Sequence, residues 1–224
     1  MGGSLTAGQT LYNGPPYPEQ LAQLTNVSVV NMGVAGQTSR NTLRCLAGSL
    51  AEFDPDVVLI AAGGNDSALS GGLESLRQNL AAMIELVQGS GAYPWLIAVP
   101  RDAITTALGG SEEPPEQGYS DPPLYAELGQ AFAIPVVLDL VASVLNDPRL
   151  RSIDGVHPNE RGYAVMAAGV AERLLPFLVE QNLAPSAWAL QVAGEGSYVR
   201  SPGQGNVLGT TGCATAEGIS PPPA

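Results

Sequence analysis

The sequence alternates short apolar runs with longer amphipathic segments, and this alternation predicts a βαβ arrangement with a parallel sheet. The apolar runs contain almost no polar residues, which is typical of parallel strands that are covered on both faces. The strands predicted in this way are Val27 to Asn31, Val57 to Ala61, Trp95 to Val99 and Val136 to Leu138.

Between these runs, apolar residues recur at the spacing of one helix face. Weaker helical patterns cover Thr42 to Glu52 and Leu124 to Phe132. Asn159 is the expected N-cap of the last helix. The clearest stripes consist of Leu73, Leu76, Leu80, Ile84 and Val87, and of Tyr163, Met166, Val170 and Leu174.

Two regions lack this pattern. Arg101 to Pro123 is rich in Gly, Pro, Ser and Glu and follows the carboxyl end of a strand, where open α/β sheets place the loops that shape a substrate site. Residues 185–224 consist mostly of Gly, Ala, Ser, Thr and Pro, and this composition predicts a flexible tail. We therefore expect one α/β domain over residues 1–184.

Composition narrows the function classes. The chain has 224 residues, of which 45% are hydrophobic, and a net charge of -12 with no basic run. Nucleic-acid binding is disfavoured because phosphate neutralisation needs clustered Lys and Arg. Cys45 and Cys213 are too few for a disulfide framework and lack metal-ligand spacing. No apolar run reaches the length of a membrane span, and no signal-peptide pattern is visible, so periplasmic, secreted and cytoplasmic locations all stay open.

The chain contains one histidine, His157, in the segment Asp-Gly-Val-His-Pro. Asp154 lies three residues upstream, which suits a carboxylate that holds an imidazole in one tautomer. Taken alone, this pair could be an ordinary turn before a helix, so its meaning depends on finding a nucleophile.

Three glycine-rich turns supply the remaining candidates. Ser4 lies in Gly-Ser-Leu-Thr-Ala-Gly, and Gly36 lies in a turn after the first predicted strand, where the missing Cβ lets a backbone N–H approach a ligand. Asn65 follows two glycines directly after the second strand. Asp66 is expected to brace its turn. Each segment alone is unspecific, but the order Ser, Gly, Asn, Asp-x-x-His along a parallel α/β pattern is far more specific than any one of them.

In these segments the sequence resembles the SGNH/GDSL hydrolase family over residues 1 to about 180, and most closely its arylesterase, thioesterase and lysophospholipase branch. The resemblance implies a three-layer α/β/α sandwich with a flavodoxin-like parallel sheet. It implies Ser4 as nucleophile, His157 as base and Asp154 as the residue that orients His157. The oxyanion hole would consist of the Ser4 and Gly36 N–H groups and the Asn65 side chain, with no metal or organic cofactor.

The sequence departs from the family at two points. Gly3 stands where the family has Asp before the nucleophile, which removes a side chain that helps to fix Ser4. The chain also begins three residues before Ser4, which leaves no room for a first strand of about five residues. Truncation is the explanation favoured by sheet geometry; a replacement strand from the tail, for instance Trp188 to Val192, and a damaged relative are the others.

The expected function is a serine hydrolase that cleaves small-molecule carboxylic esters or thioesters through an acyl-enzyme. A carbohydrate acetyl esterase and a catalytically impaired binding module on the same fold are the alternatives. The chain has no Gly-x-Ser-x-Gly motif of the α/β-hydrolases. A nucleotide or flavin binder is disfavoured because no phosphate-binding glycine loop with a lysine is present. The sequence leaves the oligomeric state open.

Overall fold

A parallel sheet organises the computed structural model, which describes residues 1–8, 14–66, 72–100, 118–183 and 206–207. Its strand order is β1-β5-β2-β3-β4, and every pair is parallel. The strands predicted from the sequence are all present within a few residues of their expected ends, and β5 was not predicted. The strands are β1 (Ser28–Val29), β2 (Val57–Ile60), β3 (Tyr93–Ile97), β4 (Val136–Val137) and β5 (Asn206–Val207).

Helices connect the strands and cover both faces of the sheet. The predicted helices correspond to α3, α4, α5 and α7, and the Asn159 side chain caps α7 as expected by accepting a hydrogen bond from Gly162 N. The sequence did not predict α2 and α6. Among the described residues the helices are α1 (Ser4–Ala7), α2 (Tyr17–Thr25), α3 (Ser39–Phe53), α4 (Gly72–Gly89), α5 (Leu124–Phe132), α6 (Leu140–Asn146) and α7 (Glu160–Glu180).

Successive side chains of a strand point to opposite faces of the sheet, and this divides the interior into two cores. Val57 and Leu59 of β2 pack into the core formed with α2, α6 and α7. Val58 and Ile60 pack into the core formed with α3, α4 and α5. The result is the expected three-layer α/β/α sandwich.

The sheet position between β1 and β2 corresponds to the first strand of a flavodoxin-like order, and two separate segments occupy it. In β5, Asn206 pairs with Ser28 of β1, and Val207 pairs with Val29 of β1 and Val57 of β2. Part of the C-terminal segment therefore lies in the sheet as a strand. The suggested replacement at Trp188 to Val192, and the rest of the expected tail, lie outside the described residues.

The first residues of the chain, Met1 and Gly2, occupy the same sheet position nearer to the carboxyl end of the strands. Met1 N donates to Leu59 O at 2.6 Å, and Ala61 N donates to Met1 O at 2.8 Å. Gly2 forms parallel bridges with Gly33 and Ala61. These contacts bring the next residues, Gly3 and Ser4, to the edge of the sheet where β2 ends.

Helix α7 is the one described helix that is long and apolar enough, by length and composition, to cross a membrane. It packs against α2 and α6, and the residues of its apolar stripe, including Tyr163, Met166 and Val170, are fully buried. A core helix passes the same test of length and composition, and the packing of α7 identifies it as a core helix.

Cys45, on α3, is disulfide-bonded, a feature that the number of cysteines did not suggest. The other cysteine of the chain, Cys213, lies outside the described residues.

Candidate active site

Close backbone packing fixes the position of Ser4. A Cβ on Gly2 would lie 2.3 Å from Thr6 Oγ1 and 2.5 Å from Ala61 O, so only glycine fits between the sheet and α1. The N–H groups of Thr6 and Ala7 donate to Gly3 O at 3.1 and 3.0 Å and close the first turn of α1. Ser4 is the first residue of this helix, where a backbone N–H has no intrahelical acceptor and can donate to a ligand.

A tight loop over residues 152–157, here called the histidine loop, carries the other two triad candidates. Ser152 N donates to His157 O at 2.7 Å, and Gly155 N donates to Ser152 O at 3.1 Å. Gly155 has a φ of +78°, a conformation that glycine adopts without strain. The loop therefore turns back on itself and brings the side chains of Asp154 and His157 together.

The Asp154 carboxylate organises this loop. Its Oδ1 accepts hydrogen bonds from Val156 N and His157 N, both at 3.0 Å, and its Oδ2 lies 2.8 Å from His157 Nδ1. Burial works to raise the pKa of Asp154, but the hydrogen bonds from the His157 side chain and from Val156 N outweigh it and hold that pKa below its ordinary value. Asp154 is thus ionised at neutral pH.

Folding brings His157 into contact with Ser4, 153 residues away along the chain, with Nε2 and Oγ 2.7 Å apart. Because Nδ1 faces the Asp154 carboxylate, the proton of the neutral ring belongs on Nδ1. Nε2 is then the acceptor for the Ser4 hydroxyl. The structure brings Ser4, His157 and Asp154 together in this order, and their catalytic roles stay predictions.

The candidate oxyanion donors lie on neighbouring loops. Asn65 is 7% exposed, and its Nδ2 donates to Gln37 O at 2.9 Å. Gly36 has a φ of +73°, and a Cβ there would meet no atom within 4 Å, so the side-chain position of this turn faces open space. The Gln37 carbonyl thereby links the Asn65 amide to the Gly36 turn, and the second hydrogen of that amide remains available for a ligand.

Ser4, Asn65 and His157 line one cleft at the carboxyl edge of the sheet. Gly36 does not line this cleft among the described residues. Its predicted role as an oxyanion donor therefore depends on the turn that Gln37 O links to the Asn65 amide. Apolar side chains supply much of the remaining surface. The other lining residues are Gly3, Leu5, Ala61, Gly64, Val99 and Val156.

Asp66 links its own turn to the start of α3. Its Oδ2 accepts from Ser39 N at 2.9 Å, its Oδ1 accepts from the Ser39 hydroxyl, and Asn79 Nδ2 donates to Ser39 Oγ at 2.8 Å. Asp66 is 1% exposed. Sequence reasoning missed Ser39 and Asn79. Ser39 could have been noticed because it opens α3 directly after the N-cap Thr38, whereas Asn79 gives no local signal.

The replacement of the family's Asp by Gly3 leaves Ser4 in hydrogen-bonding distance of His157. A Cβ on Gly3 would lie 2.9 Å from Asn65 Nδ2, so the amide of Asn65 occupies space that a side chain at position 3 would need. In this chain, the position of the Asn65 amide therefore requires glycine at position 3, and a side chain there would displace the amide.

Within the described ranges, no group of three or more His, Cys, Asp or Glu side chains is arranged to hold a metal ion. Chemistry without a metal therefore remains the prediction from the sequence.

The site can be compared with known proteins. The model of the GDSL-like lipase/acylhydrolase family matches residues 1–165. Thioesterase 1/protease 1/lysophospholipase L1 of Escherichia coli (strain K12) is 26% identical over 180 residues, which cover 80% of this chain and 83% of that protein. An arylesterase of Vibrio mimicus is 27% identical over 187 residues, which cover 80% of this chain and 88% of that protein.

Solved structures agree with the fold. A crystal structure of TesA superposes with a TM-score of 0.66 at 24% identity, covering 78% of this chain and 96% of the other. The psychrotrophic esterase EstA from Pseudoalteromonas sp., inhibited by monoethylphosphonate, gives a TM-score of 0.64 at 19% identity, covering 80% and 96%. At these identities the likeness concerns the fold alone.

Proposed function

We propose a mechanism for a chain that belongs to the GDSL-like lipase/acylhydrolase family and hydrolyses carboxylic esters or thioesters. The proposal rests on one observation above all, the 2.7 Å contact between Ser4 Oγ and His157 Nε2. Ser4 is the nucleophile, His157 the general base and Asp154 the residue that orients His157.

In the first half of the reaction, Ser4 Oγ attacks the acyl carbon while His157 Nε2 takes the hydroxyl proton, because a serine hydroxyl is a poor nucleophile at neutral pH without a base. The Asp154 carboxylate stabilises the imidazolium that forms. His157 then returns the proton to the leaving alcohol or thiol, and the acyl group remains on Ser4.

In the second half, His157 takes a proton from water, and the resulting nucleophile attacks the acyl-Ser4 carbonyl. The tetrahedral intermediate collapses when the proton is delivered to Ser4 Oγ, and the acid leaves. The net reaction converts an ester and water into an acid and an alcohol, or a thioester and water into an acid and a thiol, without a redox step.

Both tetrahedral intermediates carry negative charge on the former carbonyl oxygen. The Ser4 and Gly36 N–H groups and Asn65 Nδ2 are the donors that we assign to this oxygen. Loss of one such donor typically raises the barrier by about 3 kcal/mol. The hydrogen bond from Asn65 to Gln37 O supports this assignment, because it fixes the amide before substrate arrives.

The substrate is a small-molecule ester or thioester whose acyl group contacts an apolar surface. Leu5, Val99 and Val156 line the cleft beside Ser4 and His157, and the named relatives are a thioesterase/lysophospholipase and an arylesterase. We assign residues 1–184, the bounds expected from the sequence, to the hydrolase domain, with β5 (Asn206–Val207) as an additional strand of its sheet. A catalytically impaired binding module is less well supported, because such a module does not need the Ser4–His157–Asp154 contacts.

Steady-state hydrolysis of a chromogenic short-chain ester, with the matching thioester, tests this function. The parent protein is compared with Ser4→Ala and His157→Ala, and Tyr93→Phe at the opposite end of β3 serves as a control that should keep parental rates. We expect hydrolysis by the parent and a loss of roughly 10³-fold or more in kcat for both site variants. Equal rates in the parent and the two site variants would contradict the proposal.

A further inference from the structure

We propose that Tyr119 is a positioning residue for the reaction, acting through the histidine loop. The inference rests on the proposed roles of Asp154 and His157. Tyr119 does not line the cleft with Ser4, so its contribution would be to hold the loop that carries the base.

The contact that carries the inference is a buried hydrogen bond. Tyr119 Oη donates to Gly155 O at 2.8 Å, and Tyr119 is 4% exposed. Gly155 lies between Asp154 and His157 at a φ of +78°. The peptide group of a glycine in such a turn can rotate more easily than that of any other residue, and the Tyr119 hydroxyl fixes the orientation of that carbonyl.

Tyr119 is itself held at its backbone by a single side chain. Asn146 Oδ1 accepts from Tyr119 N at 2.7 Å, and Asn146 Nδ2 donates to Tyr119 O at 2.9 Å. Gly118 has a φ of +75°, and a Cβ there would lie 2.8 Å from Asn146 Oδ1. The absence of a side chain at Gly118 therefore lets Asn146 form both bonds.

The end of α6 also contacts Arg151, the residue that precedes the histidine loop. Arg151 Nη1 donates to Leu145 O at 2.6 Å, one residue before Asn146. The carboxyl end of α6 thus supports the loop in two ways, through Arg151 at its entry and through Asn146 and Tyr119. Removing the Tyr119 hydroxyl leaves the first support in place, so the protein should fold while the loop loses its restraint at Gly155.

This role gives a specific kinetic signature. A small misplacement of a catalytic group can reduce the rate of a reaction by up to about 10²-fold. We expect Tyr119→Phe to lower kcat by about 10-fold while KM stays near the parental value, because the substrate does not contact Tyr119 and the base is needed for chemistry. The thermal midpoint should fall modestly, because the Gly155 carbonyl loses a buried hydrogen bond. Tyr93→Phe, which loses an exposed tyrosine hydroxyl bond to Gln181 Oε1 away from the site, should keep the parental kcat.

A double-mutant cycle separates positioning of His157 from a general structural effect. If Tyr119 acts through His157, Tyr119→Phe should have no further effect on the rate at which a fluorophosphonate labels Ser4 in a His157→Ala background. The same substitution should slow this labelling when His157 is present. An equal slowing in both backgrounds would overturn the proposal.

Asn146→Asp provides a second variant in case Tyr119→Phe folds poorly. It keeps the acceptor for Tyr119 N and removes the donor to Tyr119 O, so we expect a smaller fall in kcat, again with little change in KM. Parental kcat in a folded Tyr119→Phe or Asn146→Asp protein would overturn this inference alone. Absence of Ser4-dependent hydrolysis in the parent would instead remove the proposed function.

Discussion

Asp66 accepts hydrogen bonds from both the backbone N–H and the hydroxyl of Ser39, which lies 27 residues earlier in the chain. Asn65 directly precedes Asp66, and Gly36 lies three residues before Ser39. One buried carboxylate therefore connects the two loops that carry the proposed oxyanion donors, and the geometry of the hole depends on a residue that does not contact the oxyanion.

Replacing Asp66 by Asn should weaken this connection. An amide has one acceptor oxygen where the carboxylate has two, so it can accept only one of the two bonds from Ser39, and a buried donor left without a partner costs about 1–3 kcal/mol. We expect the free energy of unfolding to fall by that amount and kcat to fall by about 10-fold or more, because displaced oxyanion donors raise the barrier.

Urea unfolding and steady-state ester hydrolysis measure these two effects. Glu52→Gln, on the exposed side of α3, removes a carboxylate without touching either loop and should behave as the parent. An Asp66→Asn protein with parental stability and kcat would contradict the structural role described here.

Restoring the family's aspartate at position 3 should reduce activity. A Cβ at Gly3 would lie 2.9 Å from Asn65 Nδ2, so Gly3→Asp must displace the amide that we assign to the oxyanion hole. Loss of such a donor costs about 10²- to 10³-fold in kcat, and we expect a decrease of about 10-fold because Asn65 is displaced and not removed.

The matched control is Gly48→Ala, where a Cβ meets nothing within 4 Å. This variant should retain the parental kcat. Higher kcat in Gly3→Asp would mean that the missing aspartate limits the parent enzyme, as the sequence suggested.

The hydrogen bonds of Asp154 predict a pH dependence of stability. They hold its pKa below the ordinary value of 3.8 in the folded protein, so the folded state favours the ionised form. The stabilisation is fully present above pH 3.8 and is lost as the pH falls through the lower pKa of the folded state.

The measurement is urea unfolding of the parent and of Asp154→Asn at a series of pH values. The stability difference between the two proteins should be largest near neutral pH and should shrink in acid. A difference that grows as the pH falls below 3.8 would have the wrong sign for this carboxylate.

Strand β5 should contribute to the stability of the sheet. Val207 pairs with Val29 on one side and with Val57 on the other, and proline cannot donate to a strand ladder. Val207→Pro loses an interior ladder bond, and a buried backbone group left without its partner costs about 1–3 kcal/mol. The check is the thermal midpoint, with Val207→Thr as a β-branched control. Equal midpoints for Val207→Pro and Val207→Thr would show that β5 does not support the sheet.

The sequence was sufficient where the pattern of residues is local and repeated. A pattern within a few residues was enough to predict the apolar strands that are covered on both faces, the apolar stripe of α7 and its N-cap Asn159. Asp154 and His157 could be paired because they lie in one loop. A replacement strand from the tail was one of the alternatives, but its residues could not be identified, because Asn206 and Val207 lie in a segment without periodicity and gain their role only through partners about 150 or more residues away.

The same limit applies to the site. Ser4, Gly36 and Asn65 could be named because their motifs resemble those of a known family. Asp66–Ser39 and Tyr119–Gly155 join residues 27 and 36 positions apart, and neither pair has a sequence spacing that predicts contact. Such bonds hold the proposed catalytic groups in place and become visible only when the chain is folded.

The contact between Ser4 and His157 is tested most directly by mass spectrometry of the protein after treatment with a fluorophosphonate, with the adduct located by peptide mapping. We predict a single adduct on Ser4 in the parent, none on Ser4→Ala, and labelling of Ser4 slowed by several orders of magnitude in His157→Ala, because the hydroxyl then lacks its base. An unlabelled parent, or Ser4 labelled equally fast with and without His157, would contradict the assignment of Ser4 as a nucleophile activated by His157.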